Sequence, residues 1–190
     1  MPVVDDPSAT APSRRVFLRS AGLVLAGLGG CSAGYEPPPR PEPEECPDSP
    51  RMPDADPHPD GADLPPVPDP PDSLDAGPVT QYASDYELAW AWREATHLFD
   101  SPLVEVFVDR AFEARREGGN AVFARSLVVP HGRVQFDGGA DGPGYFDEAR
   151  YVVAYLVTDA GAWRAARPHS VGADSPSLDP HREGRLVHCF

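Results

Sequence analysis

The strongest structural signal in this chain of 190 residues is YVVAYLVT, residues 151–158. Its residues are apolar on both faces of an extended chain and rich in β-branched and aromatic side chains. That pattern favours a strand buried on both sides, hence a central one. Residues 159–161 supply a turn signal, and the chain continues as a strand through Trp163 and Arg164.

Weaker strand signals lie on both sides of this segment. Val104, Val106 and Val108 alternate with acidic residues, whereas residues 110–117 fit a helix or a strand. The sequence also predicts a strand over 121–129 that ends at Pro130, and short strands over 133–136 and 185–190. Between the strands it predicts a turn at 131–132, a Gly-rich loop over 137–144 and a polar loop over 168–183.

A helix is predicted over residues 84–99. Ser84 and Glu87 have the spacing of a capping box, and an apolar face with helical spacing follows, from Leu88 to Phe99. One helix followed by several antiparallel strands predicts an α+β fold, with the helix packed on a curved antiparallel sheet. A cystatin-like or NTF2-like arrangement fits that order by analogy.

The N-terminus carries an export signal. SRRVFL, residues 13–18, fits the twin-arginine consensus at Arg14, Arg15, Phe17 and Leu18, and a short apolar run follows it. LGGC, residues 28–31, is typical of a lipobox that ends at Cys31. We therefore interpret residues 1–31 as a Tat lipoprotein signal peptide, handled by the Tat translocase. The alternative is an uncleaved tail on a cytosolic protein.

Cys31 is the expected attachment point to the membrane. The apolar run is about half the roughly 20 residues that a spanning helix needs, so lipid on Cys31 would be the anchor. Stable attachment by lipid requires two chains, as in a diacyl or diether lipid. The expected location is the outer face of the cytoplasmic membrane, extracellular and lipid-anchored.

Residues 32–79 predict a disordered linker. They hold twelve Asp and Glu against two Arg, and 16 of the chain's 25 prolines fall between 37 and 78. Such a segment has too few large apolar residues to offset the entropy of ordering. As an extended polyproline stalk it would reach about 150 Å. A proline-motif ligand for a partner is the alternative.

Residues 80–190 then form one small α+β domain. The chain has a net charge of −14, and all of its 16 basic residues are Arg. This acidity argues against nucleic acid as a partner, because phosphate binding needs a basic surface.

The cysteines leave one pair to consider. If lipid occupies Cys31, then Cys46 and Cys189 remain, and outside the cytoplasm they could form a disulfide. The alternative is two free thiols, with Cys189 buried.

No motif identifies a catalytic residue, a cofactor or a metal. Asp137, Asp141, Gly142 and Glu148 match four positions of a calcium-binding EF-hand loop, but Gly and Pro stand at two other ligand positions. His169, His181 and His188 have no zinc-ligand spacing. The interpretation is therefore no metal site and no cofactor.

Four residues of the predicted helix and one strand residue are weaker candidates. Glu94 and His97 could share an acid–base role, although a surface contact explains them as well. Trp90 and Trp92 could line a pocket or pack in the core. Arg164 could bind an anion or form a structural salt bridge.

Together these segments resemble haloarchaeal surface lipoproteins of unknown function. The signal, the acidic segment and the absence of Lys carry the resemblance, along with YASDYELAW at 82–90, YVVAYLVTDAGAWRAAR at 151–167 and GRLVHCF at 184–190. It covers residues 13–31 and 64–190. The resemblance implies a lipid-anchored halophilic surface protein and implies no catalytic residues.

The function expected is binding or structural support at the cell surface. One alternative is a small enzyme or solute-binding module with a pocket between helix and sheet. In that case Glu87, His97, Tyr155 and Arg164 should face an open cavity. A scaffold role beside an exported redox or transport system is another alternative.

Overall fold

The computed structural model describes residues 38–118, 120–136 and 142–190. Within these ranges the protein is an α+β domain in which a long helix packs against a curled antiparallel sheet, so the predicted fold class is confirmed. The elements in chain order are α1 (Ala76–Thr96), β1 (Leu103–Arg110), β2 (Glu113–Arg116), β3 (Ala121–Val134), β4 (Gly144–Asp147), β5 (Tyr151–Thr158), β6 (Gly161–Pro168), α2 (Pro180–Glu183) and β7 (Arg185–Cys189).

The central position predicted for residues 151–158 is confirmed. The described strands form one sheet in the order β1-β3-β5-β6-β7, and β2 and β4 also pair with β3. Val153 and Val157 belong to the core cluster that includes residues of α1, whereas Val152 and Leu156 pack in clusters without helix residues. β5 is therefore covered on both faces, which explains why its sequence does not alternate.

Strand β3 is longer than predicted, since it continues through Pro130 and Gly132. On one edge β3 pairs with β5 up to Val128 and with β4 from His131. Pro130 lies between these two partners, and its carbonyl oxygen accepts the Glu148 N–H at 3.0 Å. The missing N–H of Pro130 therefore breaks no ladder bond, and the predicted strand end and turn at 130–132 are wrong.

Helix α1 also begins earlier than predicted. Asp75 is the N-cap, and Pro78 lies in the first turn, where a helix needs no N–H donor. Ser84 and Glu87 lie inside the helix, so the predicted capping box does not form. The helix ends at Thr96, three residues before the predicted end.

Residues 38–75, called the strap below, lie against the domain. They form no helix or strand, yet Met52, Leu64, Val67 and Leu74 pack on its core. This differs from the linker predicted over 32–79. These apolar contacts act together with hydrogen bonds and a disulfide described below, and the entropy cost of ordering is reduced because proline is already restricted in conformation.

The strap covers the side of α1 that faces away from the sheet. The backbone N–H of Asp56 donates to Thr96 Oγ1 at 3.0 Å, and Arg93 Nη1 donates to the Pro65 carbonyl at 3.3 Å. Between Leu64 of the strap and Trp92 of the helix there is a cavity of only about 10 Å³. α1 is therefore packed between the strap and the sheet.

Candidate functional site

A carboxylate is buried in the centre of the domain. Glu87 projects from α1 toward β5 and β6, and its side chain is fully inaccessible to solvent. Tyr155 and Arg164 are cross-strand partners in the sheet below it. Cross-strand partners share a face of the sheet, so the phenol and the guanidinium reach the same carboxylate.

Four hydrogen bonds hold this carboxylate. Arg164 donates from Nε to Oε1 at 2.7 Å and from Nη2 to Oε2 at 3.1 Å. The hydroxyl of Tyr155 donates to Oε1 at 2.5 Å, and that of Tyr151 donates to Oε2 at 2.6 Å. Each oxygen of Glu87 thus accepts two bonds, which uses the acceptor capacity of an ionised carboxylate.

Trp90 covers the other side of the cation. The guanidinium carbon of Arg164 lies 4.0 Å from the centroid of the Trp90 ring, and 10% of the Arg164 side chain remains exposed. Such a position over an indole face is a favourable cation–π contact. We call Glu87, Trp90, Tyr151, Tyr155 and Arg164 the central network.

The central network keeps its charges fixed near neutral pH. Burial alone would raise the pKa of Glu87, but the Arg164 charge and the hydrogen bonds from Arg164, Tyr151 and Tyr155 together lower it. Burial, followed by the Glu87 charge, raises the pKa of Tyr151 and of Tyr155 far above the usual 10. The carboxylate therefore stays ionised and the phenols stay protonated.

This arrangement of side chains supports the structure and offers no group that is free to react. A general base must reach a substrate proton, and Glu87 has neither solvent access nor a free lone pair. Arg164 forms a salt bridge with Glu87. Of the two roles that the sequence left open for Arg164, the structure therefore shows the structural salt bridge. The central network joins α1 to the sheet and presents no open reaction centre.

The other candidate residues on α1 do not form one site. His97 caps the end of α1, and its Nε2 donates to the Asp54 carbonyl of the strap at 2.7 Å. It does not join Glu87, Tyr155 and Arg164, which the structure does bring together. Trp92 is buried in the core, whereas Trp90 lies at its edge against Tyr86 and Arg164.

A second carboxyl, which the sequence indicates only as a position of the EF-hand-like segment, lies near the end of α1. Glu148 follows β4, and its Oε1 is buried without a hydrogen-bond partner among the described residues. Burial, followed by the charge of Glu94 on α1, raises the pKa of Glu148 to about 7. Glu148 therefore takes up a proton near neutrality.

The metal candidates do not assemble. Asp137 and Asp141 of the EF-hand-like segment lie outside the described residues. His188 packs against Tyr82 with the ring centroids 6.1 Å apart. Among the described residues, no group of three or more His, Cys, Asp or Glu is placed to hold a metal ion, and this includes His169, His181 and His188.

The structure joins the two cysteines whose pairing the sequence left open. Cys46 of the strap and Cys189 at the end of β7 form a disulfide across 143 residues of sequence. The export and lipidation residues Arg14, Arg15, Phe17, Leu18 and Cys31 lie outside the described residues. No helix in the described part of the chain has the length and apolar character to cross a bilayer.

Two cavities lie on the face of the sheet opposite α1. One, of about 430 Å³, is bounded by Trp163, Leu186, His181 and the first prolines of the strap. The other, of about 280 Å³, has Phe123, Leu156 and Pro180 among its walls. Helix α2 borders both, and their walls combine apolar and charged side chains.

Comparison with known proteins gives no relative. No family model matches this chain, and no curated protein or solved structure shows significant similarity to it.

Proposed function

We propose that this chain is an exported, lipid-anchored domain on the outer face of the cytoplasmic membrane, with a binding or structural role. The twin-arginine pair supports passage through the Tat translocase, and the lipobox supports lipid on Cys31. The acidic, Lys-free composition supports a halophilic cell surface as its setting, since excess charge keeps a protein soluble when salt screens repulsion.

The disulfide is the structural observation that most supports this proposal. Disulfides persist in extracytoplasmic compartments and are rare in the cytosol. The Cys46–Cys189 bond crosses almost the whole described chain. A bond that depends on an oxidising compartment agrees with a chain that carries an export signal.

The closed central network supports a role without catalysis. The alternative of a small enzyme or solute-binding module places a pocket between α1 and the sheet. That space is filled by Glu87, Tyr86 and Tyr155, all fully buried. A cystatin-like or NTF2-like fold remains part of the proposal, on the helix-then-sheet order alone. A solute-binding module is the second candidate, favoured by the cavity of about 430 Å³ beside Trp163.

Export and lipidation can be tested together. Arg14→Lys with Arg15→Lys should retain the protein inside the cell, whereas Arg19→Lys, outside the pair, should leave export unchanged. Cys31→Ser should give exported protein that is released from the membrane. Mass spectrometry of the wild type should find a lipid-modified N-terminal cysteine; intact Met1 with an unmodified thiol would overturn the proposal.

The solute-binding candidate has a direct readout. Trp163 borders the cavity and is 9% exposed, so a bound solute should change its fluorescence. Trp163→Phe removes that signal while keeping an aromatic wall.

A further inference from the structure

We infer that the end of the domain around Pro38 and the Cys46–Cys189 disulfide faces the membrane and is held close to it. This inference rests on the proposed lipid at Cys31 and adds an orientation to the proposed function. The lipid surface is the partner, and the first residues of the strap with the end of β7 form the surface that meets it.

The strap is fixed to the domain from its first residues. Cys46 is bonded to Cys189, and the backbone N–H of Arg51 donates to the Val187 carbonyl at 2.7 Å. The side chain of Pro38 is itself buried. The strap thus begins at β7 and returns along α1, so its residues add no distance between anchor and domain.

Chain length then sets an upper limit on that distance. Seven residue steps separate Cys31 from Pro38, and a fully extended chain covers at most about 3.5 Å per step, or about 25 Å in total. Even with residues 38–45 detached, the disulfide would limit the reach from Cys31 to Cys46 to about 50 Å. Both limits are far below the 150 Å of a stalk over 32–79.

The domain has a near end and a far end relative to this attachment. Cys189 pairs with Gly161, and Ala121, the first residue of β3, pairs with Thr158 in the same region. At its other end β3 pairs with Leu103 of β1. The 14 residues of β3 run from one end to the other and, in a curled sheet, separate the two ends by at most about 45 Å.

Two tryptophans mark these ends. Trp163 of β6 borders the cavity that Pro38 also lines, so it lies at the near end. Trp92 of α1 borders a cavity with Leu103, so it lies at the far end. Their exposed fractions are 9% and 7%, which makes them matched fluorescent donors.

The near end does not gain attraction from charge. Glu42, Glu44, Glu45 and Asp48 are exposed in the strap beside the disulfide, and they outnumber Arg40 and Arg51, which are exposed in the same stretch. Anionic lipid headgroups would repel these side chains over about 30 Å at 0.01 M salt but over only about 3 Å at 1 M. The tether, rather than electrostatic binding, therefore holds the domain close, and closest at high salt.

Energy transfer to the membrane tests the orientation. The lipidated full-length protein is purified and reconstituted in phosphatidylcholine vesicles that carry dansyl-labelled headgroups. Trp90→Phe with Trp92→Phe leaves Trp163 as the donor, and Trp90→Phe with Trp163→Phe leaves Trp92. We expect a clearly greater loss of donor emission from Trp163 than from Trp92.

A linker insertion is the matched control. Forty Gly and Ser residues inserted between Ala33 and Gly34 add a root-mean-square reach of about 35 Å and leave the described domain unchanged. Transfer from Trp163 should fall and the difference between the two donors should shrink. Equal transfer from both donors in the uninserted protein, or no effect of the insertion, would overturn the inference.

Two further measurements separate the possible failures. Neutron reflectometry of the unsubstituted protein on a supported bilayer measures the water gap directly, and does not depend on the tryptophan variants folding. A gap above about 50 Å exceeds the tether limit and rejects the inference. Protein that lacks lipid and leaves the vesicles on flotation would instead reject the proposed function itself.

Discussion

Arg164 of β6 holds Glu87 of α1 through two hydrogen bonds, and this pair is buried where the helix crosses the sheet. Desolvating two charges costs several kcal/mol per ion, and the cost is recovered only when geometry and additional hydrogen bonds are good. Here Tyr151 and Tyr155 supply those bonds. We therefore expect the pair to contribute more to the position of the helix on the sheet than to net stability.

Breaking one side of this pair should be strongly destabilising. Glu87→Gln leaves the Arg164 cation buried without its charge partner, and Arg164→Met leaves the carboxylate buried in the same way. Each should reduce the free energy of unfolding by about 3–5 kcal/mol, measured by denaturant titration. For a closed cycle, Glu87→Met combined with Arg164→Met should cost less than the sum of Glu87→Met alone and Arg164→Met alone, since no charge is left unpaired in the double variant.

A surface pair on the same strand is the control for that cycle. Arg167 pairs with Glu183, and its side chain is 56% exposed. Arg167→Met should cost no more than about 1 kcal/mol. Equal losses from Arg164→Met and Arg167→Met would contradict a special role for the buried pair.

Removing the disulfide should loosen the strap. Cys46→Ser with Cys189→Ser opens a loop of 143 residues. The chain-entropy relation gives a loss of about 5 kcal/mol for a loop of this length, an upper figure because measured losses are often smaller. Reductant should shift the thermal midpoint of the wild type downward and leave that of the double variant unchanged.

The strap itself can be followed in the same variant. Without the disulfide, amide exchange should accelerate in residues 38–51 before it does in β5, because the strap depends on few hydrogen bonds. Uniform acceleration across the domain would instead indicate that the disulfide stabilises the sheet directly.

Local patterns predicted the sheet better than the strap. The run at 151–158 has no polar face, so burial on both sides could be read from it directly. The strap has the composition of a linker, and its order depends on where Met52, Leu64 and Val67 meet residues distant in sequence. Composition carries no information on such contacts.

The central network was only partly predictable. Glu87 matched a capping position in the sequence, and only the register of β5 against β6 places Tyr155 beside Arg164 beneath it. The turn at 159–161 sets that register locally, but the packing of Glu87 on this hairpin, 68 residues before Tyr155, leaves no spacing signal. The strand end predicted at Pro130 was wrong for a similar reason, because the sequence does not show that β3 changes partners at that residue.

Glu148 should make stability depend on pH between about 4.5 and 7. Its pKa rises from the ordinary 4.5 to about 7 on folding, so in this range the folded state binds more protons than the unfolded state. Its contribution is greatest below pH 4.5, falls as pH rises through this window and is constant above it. For a partly exposed carboxyl we expect a difference of about 1–2 kcal/mol.

The variant Glu148→Gln isolates this effect. It should gain stability relative to wild type above pH 7 and lose the advantage near pH 4.5, measured by urea unfolding at each pH. The free energy of unfolding of the variant must be subtracted from that of wild type at each pH. Burial lowers the pKa of His188 in both proteins, and this makes stability rise with pH, opposite to the effect of Glu148. Glu94→Gln should reduce the slope only in part, since burial is the larger cause. Parallel pH profiles for Glu148→Gln and wild type would contradict the assignment.

Gly132 should tolerate no side chain, although the sequence suggested only a turn there. A Cβ at this position would overlap the Glu105 carbonyl of β1 and lie 2.7 Å from the Phe146 ring of β4. Because β1 pairs with β3 here, the Glu105 backbone cannot move away without breaking that ladder, and the Phe146 side chain would have to shift as well. Gly132→Ala should therefore lower the free energy of unfolding by about 1–3 kcal/mol. Gly77→Ala in α1 is the control for adding a methyl group, since nothing lies within 4 Å of its Cβ. The usual helix gain of alanine over glycine, about 0.5–1 kcal/mol, should be largely cancelled there, because Pro78 disfavours a helical conformation for a non-glycine residue before it. If Gly132→Ala lowered the urea midpoint no more than Gly77→Ala does, close packing of β3 between its partners would be wrong.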